Sequence, residues 1–141
     1  MTQKMLRRVV IDTNVLFDGL TQQQSAAGLV IEAWLKGLLD VYISNALALE
    51  YRDVLSRKLS LSRWLKVKPI LGTLLQKTQW VTIYYSWRPI SPDPGDDLVV
   101  DCAMNAGAIV ITSNMRDFRE AEKSLGLQVM TPAQLIVLLV N

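Results

Sequence analysis

Short apolar runs separated by amphipathic stretches set the pattern of this chain. Val9-Val10-Ile11 is a β-branched run without alternation, which is how a strand buried on both faces reads. Val41 to Ser44, Trp80 to Tyr85 and Ala108 to Thr112 repeat the theme, and Gln128-Val129-Met130 reads as a shorter edge strand. Between them lie segments with apolar positions three and four apart, the spacing that lines one side of a helix. Ala26 to Leu38 puts Leu29, Val30, Ala33 and Trp34 on its inner side, with Gly37 near its end. Further helices are predicted from Ala46 to about Arg57, from Pro69 to Gln79, and from Asp97 to Ala108 with Leu98 and Cys102 turned inward. Thr131-Pro132 opens a last helix, proline being favoured at the first helical position. Strands alternating with helices predict one α/β domain: a three-layer arrangement with a mainly parallel sheet of four to five strands flanked by helices.

Composition narrows this. At 141 residues, half of them apolar and a fifth charged, the chain can bury a substantial core as a single domain, and disorder is excluded for the whole. The apolar run Leu135 to Val140 is far too short to span a bilayer. Met1 to Arg8 is polar and leads into Val9-Val10-Ile11-Asp12, not into a signal-peptide apolar region, so a cytoplasmic protein without membrane contact is expected. The single cysteine, Cys102, rules out an internal disulfide and agrees with a reducing compartment. On an inward-facing helical position it reads as a small hydrophobe, not a nucleophile. There is no histidine, which removes Ser-His-Asp and Cys-His catalysis, histidine-based RNA cleavage and imidazole zinc sites.

The charges are unevenly placed. Residues 1 to 90 hold twelve basic and six acidic residues, residues 91 to 141 three and seven. A basic part beside an acidic one suits a protein that attracts polyanions and handles them through carboxylates, although two ordinary solvated surfaces would look alike. Five aspartates crowd the stretch from Pro92 to Phe118: Asp93, Asp96, Asp97, Asp101 and Asp117. Asp97 and Asp101 are four apart, on one helical face, where like charges repel. The helix N-terminus offsets part of that, and a bound cation would offset the rest. The plainer alternative is that Asp96 or Asp97 caps the helix after the Pro94-Gly95 turn, which accounts for one acid and not for three.

Other candidates lie at strand ends. Asp12 closes the first strand, where open α/β sheets place their ligands, with Thr13 and Asn14 able to support it; a simple helix cap is the alternative. Ser44 closes the second strand and can cap the helix that carries Glu50, while Thr112 and Asn114 close a later one. Arg52, Arg57, Lys58, Arg63, Lys66 and Lys68, with Trp64 among them, form the densest basic segment, and the first four are the candidate RNA contacts. Phosphate contact with base stacking and a solvated helical face both account for it.

Taken together, Val-Ile-Asp-Thr-Asn-Val-Leu at 10–16, Ser44 with Glu50 in Leu-Glu-Tyr-Arg-Asp-Val-Leu, Asp96-Asp97 with Asp101-Cys-Ala, and Thr-Ser-Asn-Met-Arg-Asp-Phe at 112–118 resemble the PIN domain family, over nearly the whole chain. The likeness is greatest to bacterial VapC-like ribonucleases, toxin components of toxin–antitoxin pairs. That resemblance implies a PIN-like parallel sheet between helices, an acidic pocket holding Mg²⁺ or Mn²⁺, and endonucleolytic cleavage of RNA. The first three family acids match Asp12, Glu50 and Asp96, with Asp97 and Asp101 nearby. The fourth falls on Asn114 or on Asp117 three residues later, which leaves open whether one or two metals bind. A homodimer and an antitoxin partner are also implied.

The chemistry of the residues agrees. Clustered carboxylates raise one another's pKa unless a divalent ion offsets them, and oxygen-only ligands suit Mg²⁺ or Mn²⁺. Asp12, Glu50, Asp96 and Asp117 are the expected catalytic acids; Asp12, Asp96, Asp97, Asp101 and Asp117 are the expected metal ligands. Thr13, Asn14, Ser44, Thr112 and Asn114 are expected in support. A PIN-like module that only binds RNA or protein is the competing expectation. A receiver-like phosphoacceptor domain fits poorly, lacking a lysine after the late strand at Val129.

Overall fold

The structure, a computed structural model, describes residues 7–141. Most of the polar N-terminal segment, up to Leu6, lies outside the described residues. Five strands form one parallel sheet: β1 (Arg8–Ile11), β2 (Asp40–Ile43), β3 (Gln79–Trp80), β4 (Ile109–Ile111) and β5 (Val129–Met130). Their order is β3-β2-β1-β4-β5, so β1 is central. Val9, Val10 and Ile11 lie opposite Ile109, Val110 and Ile111, and all six are buried, as unbroken apolar runs demand.

Seven α-helices flank the sheet among the described residues: α1 (Thr13–Thr21), α2 (Ala26–Leu35), α3 (Asn45–Lys58), α4 (Leu61–Gln76), α5 (Pro94–Ala106), α6 (Arg119–Leu125) and α7 (Pro132–Val140). Hydroxyls start four of them, since Ser25, Ser44, Ser60 and Thr131 accept from the first-turn amides of Gly28, Leu47, Arg63 and Gln134. Thr131 and Gln134 form a full capping box. Helix α5 packs on β1, β2, β4 and α3, while α2 packs against α1 and α7. The α1–α2 contact depends on two glycines. A methyl at Gly19 would lie 2.3 Å from Ile31 Cγ1, and one at Gly28 would lie 2.2 Å from the Gln23 carbonyl oxygen.

From β1 the chain winds outward through β2 to β3; from β4 it winds the other way to β5. Strands β1 and β4 are therefore neighbours at a switch point, the place where open α/β sheets leave a crevice beyond their carboxyl ends.

Three expectations need correction. Pro69 does not start a helix but lies inside α4. Val67, Leu71 and Leu74 bury one face on both sides of it, and that packing overrides the amide bond proline cannot make. The expected strand from Trp80 to Tyr85 stops early. Val81 still donates to Ile43, but β2 ends there, and the Tyr84 and Tyr85 amides donate instead to Asn105 Oδ1. Leu29, expected on the inner side of α2, is exposed.

Candidate active site

Asp12 follows the last residue of β1 and is 2 % exposed. Its amide donates to Ile111 O at 2.9 Å, so the β1–β4 ladder fixes its backbone. From α3, the buried Tyr51 hydroxyl donates to the carbonyl of Ile11. Thr112, just past β4, donates its hydroxyl to Asp12 Oδ2 at 2.7 Å and accepts from the Asn114 amide at 3.0 Å. Although Asp12 stands at the N-cap position of α1, its side chain makes no capping bond. The amides of Thr13 and Asn14 only draw on its charge. Burial raises the Asp12 pKa above the usual carboxylate value and the Asp117 charge adds to this, against the lowering effect of the Thr112 bond.

Helix α5 delivers the second acid. Its cap is Asp93, whose Oδ1 accepts from the Gly95 amide at 2.9 Å, with Pro94 in the first turn. That leaves Asp96 free of capping duty. Burial pushes the Asp96 carboxyl up to about 8, helped by the negative charges of Asp12 and Asp93 and by a hydrogen bond and repulsion from Asp117. Asp117 comes from a short 3₁₀ turn at Met115–Phe118 and accepts from Asn114 Nδ2 at 2.8 Å. Asn114 thus orients an acid with its side chain and Thr112 with its backbone.

Asp12, Thr13, Asn14, Glu50, Asp93, Gly95 and Asp96 line one hollow of about 300 Å³, closed on the α3 side by Val54, Arg57 and Lys58. Glu50 lies against the α5 turn: a methyl on Gly95 would sit 3.1 Å from Glu50 Oε1 and 3.4 Å from Asp93 Oδ1. The structure therefore brings together Asp12, Glu50 and Asp96, with Asp117 in electrostatic contact with Asp12 and Asp96. Asp93 was missed as a site residue. The Pro-Gly turn after it was the available signal, since it makes Asp93 the residue that precedes the helix.

Asp97 and Asp101, expected as metal ligands, are not brought into the hollow. Asp97 Oδ1 accepts from the Ile90 and Ser91 amides and the Ser91 hydroxyl at 2.7–3.1 Å. Asp101 accepts from the Ser86 hydroxyl, the Trp87 amide and Arg88 Nε. Donors from one loop, the Arg88 guanidinium among them, offset their mutual repulsion. Ser44 acts as the α3 cap. Of the basic segment, Arg57 and Lys58 reach the hollow, Lys58 also lying 5.4 Å from the Phe17 ring centroid. Arg52 and Arg63 are exposed and do not line it, and Trp64 packs against the core. Cys102 is buried beside Ser44, and burial pushes its thiol up to about 12, as for an inert core cysteine.

Among the described residues no three acidic, cysteine or histidine side chains are already drawn together as a metal cage. The donor set still fits a hard divalent ion. It is all oxygen, and the raised Asp96 carboxyl marks a place where the protein alone does not neutralise the charge it has gathered.

A PIN domain family model matches residues 8–116. No curated protein matches the sequence. VapBC2 from Rickettsia felis, solved bound to a DNA fragment from its promoter, is similar with a TM-score of 0.64 at 14% identity, over 88% of this chain and 98% of that one. FitAcB from Neisseria gonorrhoeae is similar with a TM-score of 0.60 at 19% identity, over 89% and 98%. FitAB bound to an IR36 DNA fragment gives 0.58 at 19%, over 88% and 94%. These likenesses share the fold, and the family match covers most of the chain, including the elements that carry Asp12, Glu50, Asp96 and Asn114: the chain belongs to the PIN domain family.

Proposed function

We propose that this PIN domain is a divalent-metal-dependent endoribonuclease that hydrolyses RNA phosphodiester bonds. The observation that carries the reading is the convergence of Asp12, Asp96 and Asp117 at the carboxyl ends of β1 and β4, with Glu50 and Asp93 in the same hollow. Asp12, Asp96 and Asp117 would hold Mg²⁺ or Mn²⁺. When bound, the ion stabilises negative charge at the phosphate and eases deprotonation of the attacking water.

The chain's own groups divide the remaining work. Thr112 keeps one Asp12 oxygen fixed, so the other is left to the hollow. Asn114 holds Asp117 in place. Glu50, on the opposite wall, orients the water and takes up its proton, a task that falls to a carboxylate in a chain without histidine. Arg57 and Lys58 neutralise phosphates flanking the scissile bond at the rim. Asp12→Asn should abolish Mn²⁺-dependent cleavage of RNA by the purified protein, and undiminished cleavage would overturn the assignment.

The family resemblance, and the likeness of the fold to VapBC2 and FitAcB, support a toxin of a type II toxin–antitoxin pair, with an antitoxin as partner, a homodimer as the working form and the cytoplasm as its place. No helix among the described residues is long and apolar enough to cross a membrane. Asn114, uncharged where many family members carry an acid, favours a second reading: a module that binds RNA or protein with little catalysis. Calorimetric titration with Mn²⁺ separates the two, because ion uptake at the carboxylates is needed only by the first.

A further inference from the structure

One side of α5 carries Asp97, Asp101 and Asn105 at four-residue intervals, a row roughly 12 Å long at the helical rise. Residues 84–91 lie along this row, tied down at each step. Asn105 Oδ1 accepts from the Tyr84 and Tyr85 amides at 2.9 and 3.3 Å, and its Nδ2 donates to Tyr85 O. Asp101 takes the next three donors, and Asp97 Oδ1 takes the last three, from Ile90 and Ser91. Two residues beyond Ser91 the chain reaches the hollow at Asp93. The Ser91 hydroxyl lies 2.7 Å from Asp97 Oδ1 and 3.1 Å from Asp93 O. Asp93 O in turn accepts the amides of Asp96 and Asp97 at 3.0 and 3.3 Å.

These contacts close a ring from the Asp97 side chain through Ser91 and Asp93 back to the Asp97 amide. Two acids of the hollow, Asp93 and Asp96, come from that ring. We propose that Asp97, acting through Ser91, is a positioning residue for the hollow: it locks the turn at 91–93 and so sets where Asp93 and Asp96 present oxygen to a divalent cation. The inference rests on the metal-dependent reading above. It assigns Asp97 a task different from ligation, because Oδ1 accepts three donors from the strap and Asp97 does not line the hollow.

Mn²⁺ calorimetry on the whole chain tests it, with Asp12→Asn as the reference for lost uptake. Ser91→Ala cuts the link at a half-buried hydroxyl and should weaken Mn²⁺ binding about tenfold, the effect expected of a partner that orients a ligand. The thermal midpoint of the metal-free protein should fall by only a few degrees, the cost of about one hydrogen bond. Asp97→Asn keeps an oxygen that accepts from Ile90 and Ser91, and should bind Mn²⁺ within about threefold of wild type, a factor worth under 1 kcal/mol. Wild-type affinity in Ser91→Ala would overturn the proposal, and so would loss of uptake in Asp97→Asn as complete as in Asp12→Asn. A wild-type protein that takes up no Mn²⁺ overturns this and the nuclease reading together. One that takes up Mn²⁺ but leaves RNA intact overturns only the nuclease reading, and the isotherms of the variants still decide the role of Asp97.

Discussion

Thr112 and Asp12 are 100 residues apart in sequence and joined by a 2.7 Å hydrogen bond across the β1–β4 pair. The hydroxyl steadies a buried carboxylate whose pKa burial has raised. Thr112→Val keeps the shape and deletes the donor. It should cost about 1–3 kcal/mol in urea unfolding, since Asp12 loses a partner inside the protein. The Asp12 pKa should rise further, moving the ascending limb of the cleavage rate against pH to higher pH. Thr112→Ser should restore both.

Metal-free protein should lose stability as pH rises. In the folded state Asp96 titrates at about 8, against an ordinary value of 3.8. Between these values the folded chain binds more protons than the unfolded chain, so the stabilisation is full below pH 4 and is lost as pH climbs through 8. Thermal midpoints in chelator should fall over that window, and Asp96→Asn should flatten the fall. Added Mn²⁺ should raise the midpoint more at pH 8 than at pH 6, because protons and the ion compete for the same oxygens.

Gly28→Ala tests the close approach of α2 to the turn before it. The new methyl would meet the Gln23 carbonyl oxygen at 2.2 Å, and backbone cannot swing aside as a side chain can. A loss of about 2–3 kcal/mol is expected from denaturant midpoints. Cleavage per folded molecule should be unchanged, since Gly28 does not line the hollow.

Arg88 and Asp101 should be unequal partners. Asp101 is buried and has three donors, whereas the Arg88 side chain is half exposed. Arg88→Ala leaves two donors in place and should cost about 1 kcal/mol, while Asp101→Ala strands the Ser86 hydroxyl and the Trp87 amide and should cost about 2–3 kcal/mol. Chemical denaturation of both variants gives the comparison.

Loss of Arg57 and Lys58 should act on RNA affinity through salt. If each neutralises one phosphate, the double alanine variant should flatten the slope of log affinity against log salt by about 1.4, at roughly 0.7 per contact on single strands. Arg63→Ala, outside the hollow, should leave the slope nearly intact.

The centre of the sheet was readable because β1 and β4 are apolar runs buried on both faces, a signal that survives without knowledge of neighbours. Asp12 was readable for the same reason, since an acid immediately after such a run lies at the carboxyl end of a buried strand wherever the sheet is. Asp97 and Asp101 misled. Helical periodicity correctly put them on one face, but nothing in the sequence said that Ser86 to Ser91 would lie on that face and supply its donors. The segment before that loop, Val81 to Tyr85, has strand composition, and the missing information is where β2 ends. Pro69 likewise signalled a helix start, and only the core contacts of Val67 and Leu71 on either side of it carry the helix through.

The placement of β4 beside β1 has a consequence for the protein as it is being made. A chain leaving the ribosome displays Asp12 and Glu50 early, yet Thr112, Asn114 and Asp117 emerge only after the sixty-one residues that separate Glu50 from Thr112. Pairings this distant in sequence form late. No shortened translation product lacking β4 can therefore carry the assembled acidic centre, and the chemistry proposed for that centre waits until β4 has been made and paired.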